Sequence, residues 1–495
     1  MVDHVHVHPH DEIDKIAPEI YGHFAEHLGR CIYGGLWVGD DAEIETENGI
    51  RTDTLELLED IELPLLRWPG GCFADDYHWE DGIGPREERP RRRNLWWAQG
   101  REEVFEESNA FGTDEFLQLC ERLDTEPYLA SNVGSGSPTE TVDWVEYCNF
   151  DGDTDYANRR RENGRDEPYD VPYWGVGNEN WGCGGKYDPG DYALDFRRFA
   201  QYLRGYDRNM GDGSLELIAC GHTTESWNRE FMAGLGGDAH MVDHLSIHRY
   251  YSGGDAADFD EESYYKLFSN SLQLDGDIER TAGVLETYAP GADIGIAVDE
   301  WGVWHDEATA DNGLEQPQTV RDAVSAAGVL DIFNSHADRV TMANLAQTVN
   351  VLQCLVETDE ETAWATPTYR VFDLYTPHIG ATALRTVVET DEYEVDADTP
   401  DVPLVSASAS HSDGGVYVTL SNRDLEARTV AVDTGLDAVE AADGAEILFA
   451  GTDPSAFTTS DNADSFAAEV EQVETEDGTV TLDVPASSVV GVHLE

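Results

Sequence analysis

The sequence predicts an α/β fold class: a (β/α)8 TIM barrel followed by an all-β, jelly-roll-like sandwich. Two patterns and the length point there. Over the first three-quarters of the chain, short apolar runs ending in polar or charged residues recur eight times, with helical stretches between most of them. After about Asp373 the helices stop and strands recur alone, separated by turn residues. A length of 495 residues accommodates one large domain and one smaller one.

The alternation Val5-His-Val-His8 reads as a strand, so residues 1–15 are expected to join the sandwich. The barrel is expected over 16–375. Its strands are read at 20–24, 63–67, 127–132, 173–179, 215–222, 244–248, 294–300 and 340–344. Helices are read at 113–123, 191–206 and 319–335; in the last, Val320, Val324, Ala327, Val329 and Leu330 recur at roughly helical spacing. The sandwich is expected over 376–495, with strands at 404–409, 415–421, 427–432, 445–449, 479–484 and 488–494.

A hydrophobic content of 40%, with 12 Trp, 21 Tyr and 16 Phe, is enough for a packed core and argues against disorder. The formal net charge is −71, and Lys15, Lys186 and Lys266 are the only lysines. Such a surface repels itself at low salt. Molar salt shortens the Debye length to about 3 Å and screens the repulsion. Adaptation to a salt-filled cytoplasm, in a haloarchaeal-like source, is therefore expected. The same charge argues against nucleic acid and anionic membranes as partners. Seven cysteines are scattered without a CxxC pair, so free thiols in a reducing interior are expected. The N-terminus lacks a basic segment followed by an apolar one, and no 18-residue apolar stretch occurs. These features predict a cytoplasmic protein.

Glu179 ends Val171-Pro-Tyr-Trp-Gly-Val-Gly-Asn-Glu179, and Glu300 ends Ala292-Asp-Ile-Gly-Ile-Ala-Val-Asp-Glu300. A carboxyl just past a parallel barrel strand lies at the rim where catalytic groups are found. Two facing carboxyls are the working parts of glycoside hydrolysis. At the same rim, Glu26, Arg67, Asn132, Asn178, His248, Tyr250 and Gln347 are candidates to bind hydroxyls or orient the carboxylates. Trp97, Trp301 and Trp304 are candidates to stack on sugar faces. Each has a structural alternative: a rim His or Arg can serve only packing and pairing, and Trp is often core. His4, His6, His8 and His10 alternate on one strand face, but no carboxylate or Cys set accompanies them, so no metal is expected. Arg86, Arg89, Arg91, Arg92 and Arg93 interleave with Glu87 and Glu88, which reads as a salt-bridged loop rather than a phosphate site.

Eight blocks then resemble one known family. They are Ile20-Tyr-Gly-His-Phe-Ala-Glu-His-Leu-Gly-Arg-Cys-Ile-Tyr33, Leu66-Arg-Trp-Pro-Gly-Gly-Cys-Phe73, Trp79-Glu-Asp-Gly-Ile-Gly-Pro85 and Phe111-Gly-Thr-Asp-Glu-Phe116. They continue with Glu146-Tyr-Cys-Asn149, residues 174–185, Asp299-Glu-Trp301 and Ala343-Asn-Leu-Ala-Gln-Thr-Val-Asn350. In order along the barrel, these resemble the α-L-arabinofuranosidases of glycoside hydrolase family 51. The resemblance implies a retaining enzyme acting on non-reducing terminal α-L-arabinofuranosyl groups of arabinose-containing oligosaccharides, with no metal or organic cofactor. It implies Glu179 as acid/base and Glu300 as nucleophile. It further implies Glu26 gripping sugar hydroxyls, Asn178 contacting the 2-hydroxyl, Tyr250 bonding the nucleophile, and Gln347 at the hydroxymethyl end. Trp97 and Trp304 would line the pocket. Cys72 stands where many relatives carry Asn, so its sugar contact would be a weak one. A homo-oligomer, often a hexamer, is the implied assembly. The alternatives on the same barrel are a retaining β-xylosidase or endo-β-glucanase. Outside this chemistry, a carbohydrate-binding protein without turnover and a metal hydrolase using the N-terminal histidines are the other readings.

Overall fold

The computed structural model describes residues 2–97, 106–211, 213–396, 399–412, 414–436, 441–463, 465–476 and 478–494. The N-terminal strand β1 (Val2–Lys15) alternates buried Val5 and Val7 with outward histidines, as its sequence pattern requires. His4 and His6 stack on the outer face with ring centroids 6.1 Å apart.

Eight parallel strands then close a barrel: β2 (Gly22–Phe24), β3 (Leu65–Trp68), β4 (Glu126–Ser131), β5 (Tyr173–Val176), β6 (Glu216–Ala219), β7 (His244–Tyr251), β8 (Gly295–Val303) and β9 (Val340–Ala346). Neighbours pair in chain order, and β9 closes onto β2. The eight strands are those read from the apolar runs. Helices Thr113–Leu123, Pro189–Asn209 and Val320–Ser335 lie where helical spacing placed them. Four strands, β2, β3, β5 and β6, are shorter than their apolar runs. β5 stops at Val176 because Gly177 (φ 84°) and Glu179 (φ 41°) take left-handed backbone, which ends extended pairing. β6 ends at Ala219, three residues short of its run.

The lower barrel interior is a plug of Leu65, Tyr128, Ile218, Ala297 and Met342. A side chain at Gly175 would place its Cβ 2.9 Å from the Tyr128 hydroxyl, so this strand glycine makes room for the phenol. Above the plug the interior turns polar. Asp299 accepts from Tyr128 Oη at 2.7 Å and from Asn344 Nδ2 at 2.8 Å, with Arg67 Nε at 3.6 Å. That polar layer is the floor beneath the C-terminal rim.

Nine further strands join β1 in one ten-stranded sheet folded over its own core: β10 (Thr382–Glu389), β11 (Val405–Ser412), β12 (Gly415–Asn422), β13 (Arg428–Asp433), β14 (Ala441–Leu448), β15 (Glu469–Glu471), β16 (Glu474–Glu476), β17 (Thr479–Val484) and β18 (Ser488–Leu494). β1 lies antiparallel to β10 and parallel to β13. Val5, Val7, Val418, Leu420, Val432 and Val490 are among the residues filling that core.

Helix Val320–Ser335 is buried nearly all round because it packs on the barrel with one face and on the sandwich with the other. Its buried Asp331 accepts from Tyr375 Oη (2.9 Å), Ser406 Oγ (2.7 Å), Ser408 Oγ (2.9 Å) and Thr419 Oγ1 (3.2 Å). Two β-strands and a C-terminal helix are thereby tied to one carboxyl. Asp331→Ala leaves those hydroxyls without their acceptor and is expected to lower unfolding stability by about 3 kcal/mol, read as a shifted denaturant midpoint.

Candidate active site

Glu300 lies within β8 and Glu179 in the left-handed turn after β5, both at the C-terminal rim. His248 of β7 sits between them. Its Nδ1 is 3.0 Å from Glu179 Oε1 and 3.5 Å from Glu300 Oε2. Two carboxylates on one ring nitrogen require that Nδ1 carry the proton. One oxygen of each glutamate, together with the His248 nitrogen, falls within a 4.8 Å cluster. That closeness matches the ~5–5.5 Å separation of retaining glycosidases rather than the ~6.5–9.5 Å of inverting ones.

Glu300 is wrapped by donors. Arg67 Nη1 donates to Oε1 at 3.0 Å, and Tyr250 Oη donates to Oε2 at 2.9 Å. Burial opposes its ionisation, but His248 and Arg67 outweigh burial and hold the carboxyl below the usual range. Burial likewise works against charge on His248, yet Glu300 and Glu179 raise its pKa above the ordinary imidazole value. Arg67 is itself 1% exposed and also donates to the Asp299 carbonyl (2.9 Å) and to Asn178 Oδ1 (2.6 Å). The other end of the Asn178 amide, Nδ2, is buried with no partner among the described residues and lies beside the Glu300 carboxylate. It is an unused donor close to Glu300.

Glu26, in the segment after β2, forms the far wall. It accepts from Phe73 N (3.2 Å), Trp97 Nε1 (3.2 Å) and Gln347 Nε2 (3.1 Å). Burial, then the Glu300 charge, push its carboxyl up to about 7. The loop after β3 can run between these acids only as glycine. A Cβ on Gly70 would lie 2.7 Å from Glu26 Cγ, and one on Gly71 2.8 Å from Glu300 Oε1. Trp304 is 36% exposed, meets the Tyr250 ring edge-on with centroids 5.3 Å apart, and donates to the Ala308 carbonyl.

Glu179, Glu300, Arg67, Asn178, His248 and Tyr250 are thus joined in one hydrogen-bonded cluster, with Glu26, Trp97 and Gln347 in a second one across Gly71. Three expectations change. The free thiols are not all free: Cys72 and Cys183 form a disulfide, with Cα atoms 5.5 Å apart across 111 residues of sequence. Cys72 therefore has no S–H to donate to a sugar, and the Cys183 sulfur lies 3.6 Å from Glu179 Oε2. Barrel closure brings the two loops together, and no spacing rule in the sequence shows that. Trp301 is fully buried against Phe333 and Phe372 and serves the core, not a sugar face. Asn132 folds its side chain onto Tyr77 and Ser135 in its own turn. In the arginine-rich loop, Arg86 and Arg89 pair with Glu115, Arg91 with Glu106 and Arg92 with Asp81, so the loop is salt-bridged, but to acids other than the interleaved Glu87 and Glu88.

Two donor sets have metal-like spacing among the described residues: Glu179–His248–Glu300 and Cys72–Glu179–Cys183. In the first, Nδ1 is committed to the carboxylates as a donor. In the second, the sulfurs are bonded to each other. Neither presents a full set of free lone pairs.

Removing the cationic neighbour of a carboxylate raises its pKa. His248→Asn is therefore expected to move the acid limb of the kcat/KM profile to higher pH by about one unit, with a ~10–100-fold loss at the optimum. A full pH profile of wild type and variant, with unchanged melting, checks it.

Comparison with known proteins gives the family. Two family profiles match, the α-L-arabinofuranosidase 1 domain over residues 57–266 and the α-L-arabinofuranosidase C-terminal domain over 299–488. An intracellular exo-α-L-arabinofuranosidase of Bacteroides ovatus is 42% identical, the match covering 99% of this chain and 95% of the relative. The crystal structure of the GH51 arabinofuranosidase from Xanthomonas axonopodis pv. citri superposes with a TM-score of 0.92 at 36% identity, covering 100% of both chains. The arabinose complex of the α-L-arabinofuranosidase from Thermotoga maritima gives 0.86 at 32% identity and 99% coverage of both. With similarity running through barrel and sandwich alike, this chain belongs to the α-L-arabinofuranosidases of glycoside hydrolase family 51.

Proposed function

We propose that this protein is a retaining, exo-acting α-L-arabinofuranosidase that removes non-reducing terminal α-L-arabinofuranosyl groups from arabino-oligosaccharides. The carrying observation is the pair of glutamates bridged by His248, one of them held ionised by Arg67, His248 and Tyr250. In the first step Glu300 attacks the anomeric carbon while Glu179 gives its proton to the departing oxygen. A glycosyl ester on Glu300 results, and the aglycone leaves as an alcohol. In the second step Glu179, now a carboxylate, takes a proton from water as that water attacks the same carbon and frees Glu300. Both steps use side chains alone.

Exo action is supported by the wall at Glu26. Glu26 is 3% exposed, and its carboxyl is closed in by Trp97, Gln347 and the backbone of Phe73, which suits one terminal sugar ring. Glu26 and Gln347 would bind its hydroxyls, Asn178 Nδ2 the 2-hydroxyl, and Trp97 and Trp304 its faces. Cys72 would line the pocket as half of a disulfide.

The intracellular setting, the catabolism of imported arabinan and hemicellulose fragments, and the salt adaptation belong to the same reading. The first is supported by the naming of the Bacteroides ovatus relative, the last by the net charge of −71. Assembly as a homo-oligomer, a hexamer foremost, rests on the family resemblance. No helix of the described residues is long and apolar enough to cross a membrane.

Release of nitrophenol from the α-L-arabinofuranoside and the β-D-xylopyranoside, in molar KCl, tests the activity. The arabinofuranoside should be the faster substrate, and Glu300→Ala should lower its turnover by about 10⁴-fold or more. Faster xyloside cleavage would move the assignment to a β-xylosidase, and activity surviving Glu300→Ala would remove the nucleophile. Salt gives a separate check. Raising KCl from about 0.1 M to about 2 M should raise the thermal midpoint steadily, since screening relieves the self-repulsion.

A further inference from the structure

Asp75 is a buried acid that the double displacement does not use. It lies in the short turn Ala74–Asp76 after β3 and is 4% exposed. No arginine or lysine pairs with it at contact distance among the described residues. Its carboxylate instead collects backbone donors from two other loops. Oδ1 accepts from Val133 N at 2.8 Å and Gly134 N at 2.6 Å, both in the loop after β4. Oδ2 accepts from Asn178 N at 2.8 Å, in the loop after β5. The Asp75 carbonyl also accepts from Ser135 Oγ at 3.0 Å. One side chain thus spans three consecutive barrel loops.

The chain is shaped around this carboxylate. A Cβ at Gly184 would lie 2.4 Å from Asp75 Oδ2 and 1.9 Å from the Asn178 carbonyl oxygen, so only glycine lets the loop after β5 fold over it. The turn so held is the one in which Glu179 takes its left-handed φ of 41°. The Glu179 carbonyl closes it by accepting from Gly182 N at 2.6 Å and Gly184 N at 3.2 Å. The direction of the Glu179 side chain follows from the backbone at Asn178 and Glu179. Asp75 fixes the first of these peptides from below, while Arg67 holds the Asn178 side chain from the barrel floor.

We propose that Asp75 is a positioning residue whose carboxylate holds the Asn178–Glu179 turn at the angle from which Glu179 reaches the leaving-group oxygen. The inference rests on the proposed arabinofuranosidase reaction, with Glu179 as its acid. It separates two functions of the site. Glu300, on a strand and held by Arg67 and Tyr250, keeps its geometry when Asp75 is changed. Glu179, on a turn, does not.

That separation is measurable through the leaving group. A 2,4-dinitrophenolate departs without a proton, whereas an alkoxide needs one, and kcat/KM reports the glycosylation step for both. Asp75→Ala is expected to lower kcat/KM on methyl α-L-arabinofuranoside by about 10²-fold and on the 2,4-dinitrophenyl glycoside by less than about 5-fold. Asp75→Asn has the same shape and keeps one accepting oxygen, but sets an amide N–H₂ against a third donor. It should show the same selectivity at about 10-fold, and it stands in if Asp75→Ala does not fold. Equal losses on both glycosides would overturn the proposal in favour of a purely structural acid, and so would no loss on either. The wild type is measured first. If it cleaves neither glycoside, the arabinofuranosidase reading fails, and this inference falls with it.

Discussion

A single buried guanidinium organises the catalytic end of the barrel. Arg67 comes from β3 and stacks over the Phe24 ring of β2 at 4.3 Å. It reaches the Glu300 carboxylate and the Asp299 backbone on β8, and the Asn178 side chain beyond β5. A charge taken out of water is tolerated only where its donors are matched and its counter-charge is close. Asp299 and Glu300 supply that charge. Asp299 is in turn fixed by Tyr128 and Asn344, so four strands of the barrel and the loop after β5 contribute to one polar network. The position of the attacking carboxylate is therefore a property of the closed barrel, not of the strand that carries it.

The same network explains how three neighbouring acids come to differ. Glu300 and Glu26 are both buried and both near Gly71, so burial alone would treat them alike. Glu300 has the Arg67 guanidinium and the His248 imidazole against it, which hold its carboxyl below the usual range. Glu26 is bonded by neutral donors, sits near the charge of Glu300, and is pushed up to about 7. In the proposed reaction the first would attack carbon and the second would bind sugar hydroxyls. Glu179 is the most accessible of the three, at the mouth beside the Cys72–Cys183 disulfide. A group that meets a departing alcohol and then a water molecule needs that access.

Much of this was legible before any coordinates. The eight barrel strands appeared as apolar runs because parallel strands buried on both faces leave little room for polar residues. Both catalytic candidates, and most of their neighbours, stood at the ends of those runs. Trp301 misled because it follows the nucleophile immediately, and strand alternation turns it outward, onto Phe333 and Phe372. Asp75 gave no signal at all: Asp76 follows it at once, and its partners are backbone amides, which every residue but proline offers. The disulfide was hidden for a related reason, since a pairing across 111 residues leaves no local spacing to read.

Sequence by itself determined the eight barrel strands, three of the helices and most of the long sandwich strands, where acids and aromatics meet the barrel rim, and the family to which those blocks point. Those properties are local: periodicity, turn residues and short motifs act over a few positions at a time. Tertiary structure alone decided that Glu179 and Glu300 share one histidine, that Cys72 is oxidised onto Cys183, and that Asp75 braces the turn beneath the acid. Each of these depends on distances of a few ångströms between loops far apart in the chain. Only the closure of the barrel, by pairing of β9 with β2, sets those distances.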